Sequence, residues 1–298
     1  MSTEFLSFRA FKATSRFNAY LELSKIRILS MVLVTTAIGF FLGKKGFSDP
    51  GKLLATLLGT ALVCAGASAL NHYLERDSDS KMLRTRNRPI PAGIIPAQNA
   101  MLFGIVAVLL GVGFLYWQVN LLVSFLGLLT AFLYVLVYTP MKKVSWLNTT
   151  IGAIPGALPP VGGWAAAAGQ IDLGAWVLFL ILFIWQHPHF YAIAWMLKED
   201  YARGGFKMLP VLEKDGHRTM FQVVAFSILL IPASVLPVVL GISGSAYFFG
   251  ALILGVGFLA FGIFFAVSRS DADAHKLLRA SIIYLPVILS LIIADAHF

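Results

Sequence analysis

The chain carries very little charge. Asp, Glu, Lys and Arg make up 12% of its 298 residues, about half the share found in soluble domains. With 58% hydrophobic residues it cannot cover itself in polar groups, which excludes a water-soluble globular protein and a disordered one. Cysteine is almost absent. The single Cys64 lies within an apolar run, so neither a disulfide framework nor a cysteine-based metal cage can form. Polar and apolar residues do not alternate with period two, which excludes a membrane β-barrel. Acidic residues are outnumbered, 14 against 23 basic ones, for a formal charge of +9. In a membrane protein such an excess belongs to loops on one side, so no nucleic acid is expected as a partner.

What is present is a series of long hydrophobic runs. A hydrocarbon core of about 30 Å takes about 20 apolar residues as a helix. Nine candidate spans follow, at 28–43, 52–74, 99–117, 121–139, 148–168, 174–196, 220–241, 245–267 and 280–296. The first follows Lys25 and Arg27 and lacks a small-residue cleavage site, so it reads as a span and not as a signal peptide. Residues 1–27 are then an N-terminal cytoplasmic segment and 28–298 one transmembrane domain. With the N-terminus inside and the C-terminus outside, every Lys and Arg except Lys44, Lys45 and Lys52 falls on the cytoplasmic side, Arg9, Lys12 and Lys214 included. One missed helix would scramble that bias. Glu4 and Glu22 argue against a mitochondrial transit peptide, so a bacterial inner membrane is expected before a mitochondrial one.

The same alternation leaves only Asp49, Asp172 and Asp295 of the acids outside. Two inside clusters stand at helix ends. In the first, Asn71, Glu75 and Asp79 share one face if the second helix continues through them. Three oxygen-bearing side chains at a membrane surface suit a hard cation such as Mg²⁺, which fills its remaining positions with water and phosphate oxygens. Asp79 is expected at an exposed helix end. The downstream arginines, Arg84, Arg86 and Arg88, suit the same phosphates. The rival reading is a solvated loop with ordinary salt bridges, but an amide entering the membrane from an apolar helix defaults to function.

The second cluster closes the sixth span, where His187 and His189 flank Pro188, followed by Lys198, Glu199 and Asp200. Proline should break the helix there. The histidines suit haem contact, proton transfer or structural hydrogen bonds alike. Tyr138 and Lys142 sit at the inner end of the fourth span. Gly152, Pro155, Gly156, Pro159, Pro160, Gly162 and Gly163 interrupt the fifth, where packing is the plainer explanation. The stretch Asp271 to Lys276 reads as a solvated loop.

Asn71-xxx-Glu75-x-Asp77-x-Asp79, followed by Arg84-Thr85-Arg86-Asn87-Arg88-Pro89, resembles the first motif of the UbiA-type intramembrane prenyltransferases. Tyr138-Thr139, Gly152 to Trp164, Trp185 to Phe190, Asp200-Tyr201, Met208 to Pro210 and Ala280 to Pro286 resemble one branch of that family, the haem O synthases. The likeness runs from about residue 18 to the end. It implies nine transmembrane helices around a central cavity. It also implies transfer of farnesyl from farnesyl diphosphate to a vinyl group of haem B, giving haem O for haem-copper oxidases.

Under this resemblance Asn71, Glu75 and Asp79 bind Mg²⁺–diphosphate, with Asp200 as a further ligand. Arg84, Arg86, Lys142 and Lys198 hold diphosphate oxygens, Tyr138 borders the allylic carbon, and His187 and His189 face haem. Glu75 stands where the family often has Asp, and the second motif is poorer in Asp than in quinone-modifying relatives, which makes a second Mg²⁺ less secure. Membrane lipid surrounds the protein, and a haem A synthase or oxidase assembly proteins are the protein partners the family suggests.

The chemistry suits the residues. Ionising an allylic diphosphate needs cations at the leaving group and a dry cavity around the allylic carbon, and it needs no Ser or Cys nucleophile. A quinone-precursor prenyltransferase is the nearest rival. A secondary transporter would carry charges near the bilayer midplane, and a non-catalytic haem-handling protein has no use for the Asn71 motif.

Overall fold

The computed structural model describes residues 15–297 apart from 45, 47, 48 and 214. Glu4, Arg9, Lys12, Lys45 and Lys214 therefore lie outside the described residues. The chain runs through α1 (Arg16–Leu23), α2 (Ile26–Gly43), α3 (Pro50–Asp79), α4 (Ala97–Gln118), α5 (Leu121–Phe132), a π-helical turn (Leu133–Tyr138) and α6 (Thr139–Met141). It continues through α7 (Asn148–Ala168), α8 (Leu173–Met196), α9 (Lys198–Arg203), α10 (Leu209–Leu212), α11 (His217–Val239), α12 (Ser245–Ser268) and α13 (Asp271–Ala294). Helices adjacent in sequence pack as antiparallel pairs, α3 on α4, α7 on α8 and α11 on α12, while α2 lies against α7 and α13 against α8.

Eight of the described helices are long and apolar enough to cross a membrane, counting α5 to α6 as one. The protein is thus an all-helical multi-pass membrane protein. The expected span at 148–168 is a helix, α7, but not one of the eight, because Asn148, Thr149, Thr150 and its glycines and prolines dilute its hydropathy. It is instead the inner helix of the bundle, with most of its residues buried. Gly39 of α2 and Gly163 of α7 have no room for a Cβ, since each lies on a backbone carbonyl of the other helix, Pro160 and Thr36 respectively. Small residues let helices approach where lipid supplies no hydrophobic driving force.

Two expected breaks are absent. Helix α7 runs through Pro155, Pro159 and Pro160, and α8 runs through Pro188. Side chains take up the carbonyls next to the Pro188 gap. His187 Nδ1 donates to Phe183 O at 2.8 Å and Gln186 Nε2 to Leu182 O at 3.0 Å, the repair that lets membrane helices keep proline. The stretch from Asp271 to Lys276 is likewise not a loop. Ser270 caps it by accepting from the Asp273 N–H, and it forms the first turns of α13.

The three acids assigned to the far side all bind backbone N–H groups at helix starts. Asp49 accepts from Lys52, Asp172 from Gly174, and Asp295 from Gly244 and Tyr247 at the start of α12. These are capping roles, each worth about 1 kcal/mol. Glu75 and Asp79 lie at the opposite end of α3 from Asp49.

Candidate functional site

Helix α3 has 30 residues and is therefore about 45 Å long, more than a hydrocarbon core requires. Its last turns carry Asn71, Glu75 and Asp79 on one face, as the spacing predicts. All three are buried, at 0%, 4% and 0% exposure. The expected exposed position of Asp79 is thus corrected. The chain after α3 folds back over it, Arg88 Nη1 donates to both its oxygens at 2.9 and 2.7 Å, and Thr85 Oγ1 donates to its carbonyl. Glu75 Oε1 accepts from Lys142 Nζ at 2.7 Å, and Asn71 Oδ1 accepts from Lys25 Nζ at 2.6 Å. Each oxygen ligand of the sequence motif thus meets one cation from a different part of the chain.

Local backbone irregularities aim these groups. Pro140 has no N–H for the α-helical ladder, and the turn before it widens into the π-helix Leu133–Tyr138. Thr139 Oγ1 donates to Tyr134 O at 2.8 Å, so it accepts from Asn71 Nδ2 at 3.0 Å. That contact fixes the amide with Oδ1 turned toward Lys25. Lys25 links α1 to α2 with φ 50°, a left-handed conformation sparsely populated by residues other than glycine and costing about 1 kcal/mol or more. Its ammonium also donates to Tyr134 OH at 3.1 Å. Burial, followed by the charge of Arg88, lowers the Lys25 pKa to about 7 in spite of Glu75. Lys142 differs. Burial alone would lower its pKa, but Glu75 outweighs that and holds the ammonium charged. Lys142 Nζ lies 4.6 Å from the centre of the Tyr138 ring, and Gly152 leaves the space that ring fills.

The second acidic cluster closes over the first. Asp200 Oδ1 accepts from the Leu83 N–H at 2.8 Å and Oδ2 from the Arg84 N–H at 3.2 Å, while Arg203 donates to Oδ1 at 2.7 Å. Burial raises the Asp200 pKa, but the hydrogen bonds from Arg203, Leu83 and Arg84 outweigh it, so the carboxyl sits below its ordinary value. Asp200 thus anchors the chain after α3, 116 residues away from it in sequence at Arg84. Met82 packs there with Ala194, Phe206 and Met208. Arg84 turns its guanidinium toward the Tyr201 ring at 5.9 Å. Arg86 and Lys198 are exposed, and the Lys198 ammonium lies 4.4 Å from the Trp195 ring centre.

Among the described residues six side-chain polar atoms are buried without a partner, and three of them belong to the first motif: both ring nitrogens of His72 and the Nε of Arg84. Lys142 and Arg88, with Lys25 poised between its charged and neutral forms, face two carboxylates, and these unpartnered atoms belong to the same motif. Such a set suits a polyanion. The ligand atoms are all oxygens, which fits Mg²⁺, and among the described residues no three His, Cys, Asp or Glu side chains close a metal cage by themselves. A cation here needs oxygens from a ligand, as Mg²⁺ sites commonly do.

The two histidines of α8 are unequal. His187 is fully buried, donates from Nδ1 to Phe183 O, accepts at Nε2 from Thr150 Oγ1 at 3.2 Å, and stacks on Phe226 at 3.7 Å. His189 meets Ser281 Oγ through Nδ1 at 2.7 Å. The serine hydrogen already goes to Leu278 O at 2.6 Å, so Nδ1 carries the imidazole proton and Nε2 a lone pair. The ring stacks on Trp185 at 4.9 Å, and the Trp185 indole donates to Ser281 O.

Sequence reasoning named the α3 row, Lys142, Tyr138 and both histidines. It missed Lys25 as a partner of Asn71, Arg88 as the partner of Asp79, and the orphaned ring of His72. Lys25 has no spacing signal, because a lysine before a span also serves topology. The Arg88 pairing is a legible offer, nine residues after an acid, but only the folded-back loop selects it over Arg84 and Arg86.

The fold and the cradle together define an all-helical membrane protein with two carboxylates and an amide, each paired with a basic side chain, at one end of its bundle. The chain belongs to the UbiA prenyltransferase family, whose family model matches residues 32–285. It is 47% identical over 285 residues to a protoheme IX farnesyltransferase of Solibacter usitatus, a match covering 93% of this chain and 98% of the relative. Its fold is similar to that of a digeranylgeranylglyceryl phosphate synthase, with TM-score 0.80, 19% identity and 94% and 98% of the two chains covered. It is also similar to a UbiA homologue from Archaeoglobus fulgidus solved with DMAPP and Mg²⁺, with TM-score 0.67, 18% identity and 92% and 98% covered.

Proposed function

We propose that this protein transfers the farnesyl group of farnesyl diphosphate to a vinyl group of haem B, forming haem O. The observation that carries the prenyl-transfer step is the cradle, in which two carboxylates and an amide are each matched by a cation that a metal–diphosphate pair would displace. The choice of haem as acceptor and farnesyl as donor is supported by the name of the Solibacter usitatus relative at 47% identity.

Asn71, Glu75 and Asp79 would hold Mg²⁺, which when bound supplies Lewis-acid stabilisation of the leaving diphosphate. Lys142, Lys25 and Arg88, released from their carboxylate and amide partners, bind diphosphate oxygens, and Arg84 adds its free Nε–H. Exposed Arg86 and Lys198 guide the anion to the opening. Tyr138 presents its ring to the allylic carbon, where developing positive charge gains from an aromatic face. The buried apolar interior keeps water away until the haem vinyl has attacked, and water then captures the cation beside the porphyrin. Asp200 serves by fixing Leu83 and Arg84.

Haem lies toward α8 and α13, where the lone pair of His189 Nε2 faces it. His187, with both nitrogens engaged, supports the helix. Residues 28–298 form one domain in a bacterial plasma membrane, surrounded by lipid, with the cradle and N-terminus cytoplasmic and the C-terminus outside. A haem A synthase or another oxidase assembly protein would accept the product.

The test is pigment extraction from membranes expressing the chain with haem B and farnesyl diphosphate. A mass shift to hydroxyethylfarnesyl haem is expected. Unchanged haem together with a prenylated quinone precursor would move the protein to another branch of the family.

A further inference from the structure

His72 follows Asn71 on α3 and takes no part in any contact described for the site. It is 2% exposed, and neither ring nitrogen has a hydrogen-bond partner. A neutral imidazole has one donor and one acceptor, and leaving either buried and unmet costs about 1–3 kcal/mol. His187, in a comparable apolar helix, has both nitrogens satisfied. The orphaned ring therefore needs an explanation beyond packing.

Its direction follows from helix geometry. At about 100° per residue, His72 lies about 20° from Asp79, about 40° from Ser68 and about 60° from Glu75. The face that meets α4 is elsewhere. Gly59, Val63, Gly66 and Leu70 touch Leu115, Gly111, Gly104 and Val108 of α4, and they lie about 120–180° around the helix from His72. Ala69, which packs with Ala19 and Leu23 of α1, is about 60° away on one side. Asn71, bonded to Thr139, is about 100° away on the other. His72 thus points between these contacts, into the cradle. On that same side of the helix Lys25, Arg88 and Lys142 hold Asn71, Asp79 and Glu75.

We propose that His72 is a further substrate-binding residue, whose ring N–H donates to an oxygen of the bound diphosphate. A neutral imidazole offers one N–H donor, which suits a phosphate oxygen beside the basic side chains of the cradle. Mg²⁺ prefers oxygen, which leaves the imidazole to the anion and not to the metal. The assignment rests on the diphosphate reading of the cradle and adds to it a donor that fixes the orientation of the leaving group.

The experiment measures binding of inorganic diphosphate with Mg²⁺ to the detergent-solubilised full chain, alongside haem titration and melting. The variants are His72→Ala and His72→Gln, whose amide keeps an N–H at similar reach. Expected is a loss of about tenfold or more in diphosphate affinity for His72→Ala, the range for a hydrogen bond to a charged group, with haem affinity unchanged and most of the loss recovered in His72→Gln. Equal diphosphate affinity in all three proteins would overturn the assignment, and so would equal losses in both variants accompanied by lowered melting, the mark of a packing role. Failure of the wild-type chain to bind Mg²⁺–diphosphate would instead overturn the cradle reading itself.

Discussion

At the end of α3 two carboxylates and an amide are each met by a basic side chain from another part of the chain, whereas in the second half of α8 the polar groups are met by backbone carbonyls and hydroxyls. Under the proposed function, the difference separates a region that exchanges partners from one that stays fixed. A carboxylate gives up a lysine when a divalent cation arrives, and the lysine is then free for the anion that comes with it. A neutral imidazole held by a carbonyl and a hydroxyl has no such alternative. It sets an orientation.

The comparison breaks most sharply at Asp79. Asp79→Asn keeps one oxygen for Arg88 and nearly the same shape but removes the charge that Arg88 pairs with, so melting should fall while the fold persists. It removes a metal charge, and turnover should fall by about three orders of magnitude or more. A well-folded variant with substantial activity at limiting Mg²⁺ would take Asp79 out of the site.

Lys142→Ala should raise the requirement for farnesyl diphosphate by about tenfold to a hundredfold and leave that for haem little changed. It also strands Glu75, whose side chain is 6% exposed, and breaking a buried pair in this way costs about 3–5 kcal/mol. In the double variant Lys142→Ala/Glu75→Gln melting should recover, which would trace the instability to the stranded carboxylate, while turnover is lost at both residues. Equal effects of Lys142→Ala on both substrates would point to a fold defect.

How much of this was readable in the sequence follows the same division. The α3 row was legible because periodicity needs only the helix to continue, and a helix of apolar residues ending in Asn71, Glu75 and Asp79 gives no reason to stop. The burial of Asp79 was not, since it depends on Arg88 returning over the helix end. Proline was read as a break at Pro188 because the rule for soluble helices omits neighbours such as Gln186 and His187 that take up nearby carbonyls. The two histidines look alike in sequence, and only Thr150 and Ser281, distant in the chain, distinguish them. Lys25 was counted as a topological charge, and its left-handed link to α2 has no sequence mark.

The histidines test the fixed region. His189→Ala should weaken haem binding by about tenfold or alter the haem spectrum, with diphosphate binding unchanged. His187→Ala should lower stability by about 1–3 kcal/mol, because it strands Thr150 and opens a hole beside Phe226, and it should leave haem affinity in the folded fraction unchanged. Ser281→Ala should follow His189→Ala in spectrum, more weakly. An unaltered spectrum and affinity in His189→Ala would remove it from the haem site.

The smallest effect is expected at Asp200, where the two regions meet. Its carboxylate binds the N–H groups of Leu83 and Arg84 and the Arg203 side chain. Leu83 is 58% exposed, so water can replace part of what Asp200→Ala removes. The loss of stability should be about 1 kcal/mol, and the diphosphate requirement should rise a few-fold as Arg84 loses its anchor. The sign with pH follows from the lowered pKa of Asp200. The ionised form is favoured by folding, so its contribution is present above the ordinary Asp value and lost as pH falls below it. The melting difference between wild type and Asp200→Ala should accordingly be constant at neutral pH and close in acid. A metal ligand would behave otherwise, since its removal should match Asp79→Asn in turnover. Activities of the two variants measured side by side decide between them: a loss near three orders of magnitude for Asp200→Ala would move this carboxylate from the clamp to the metal set.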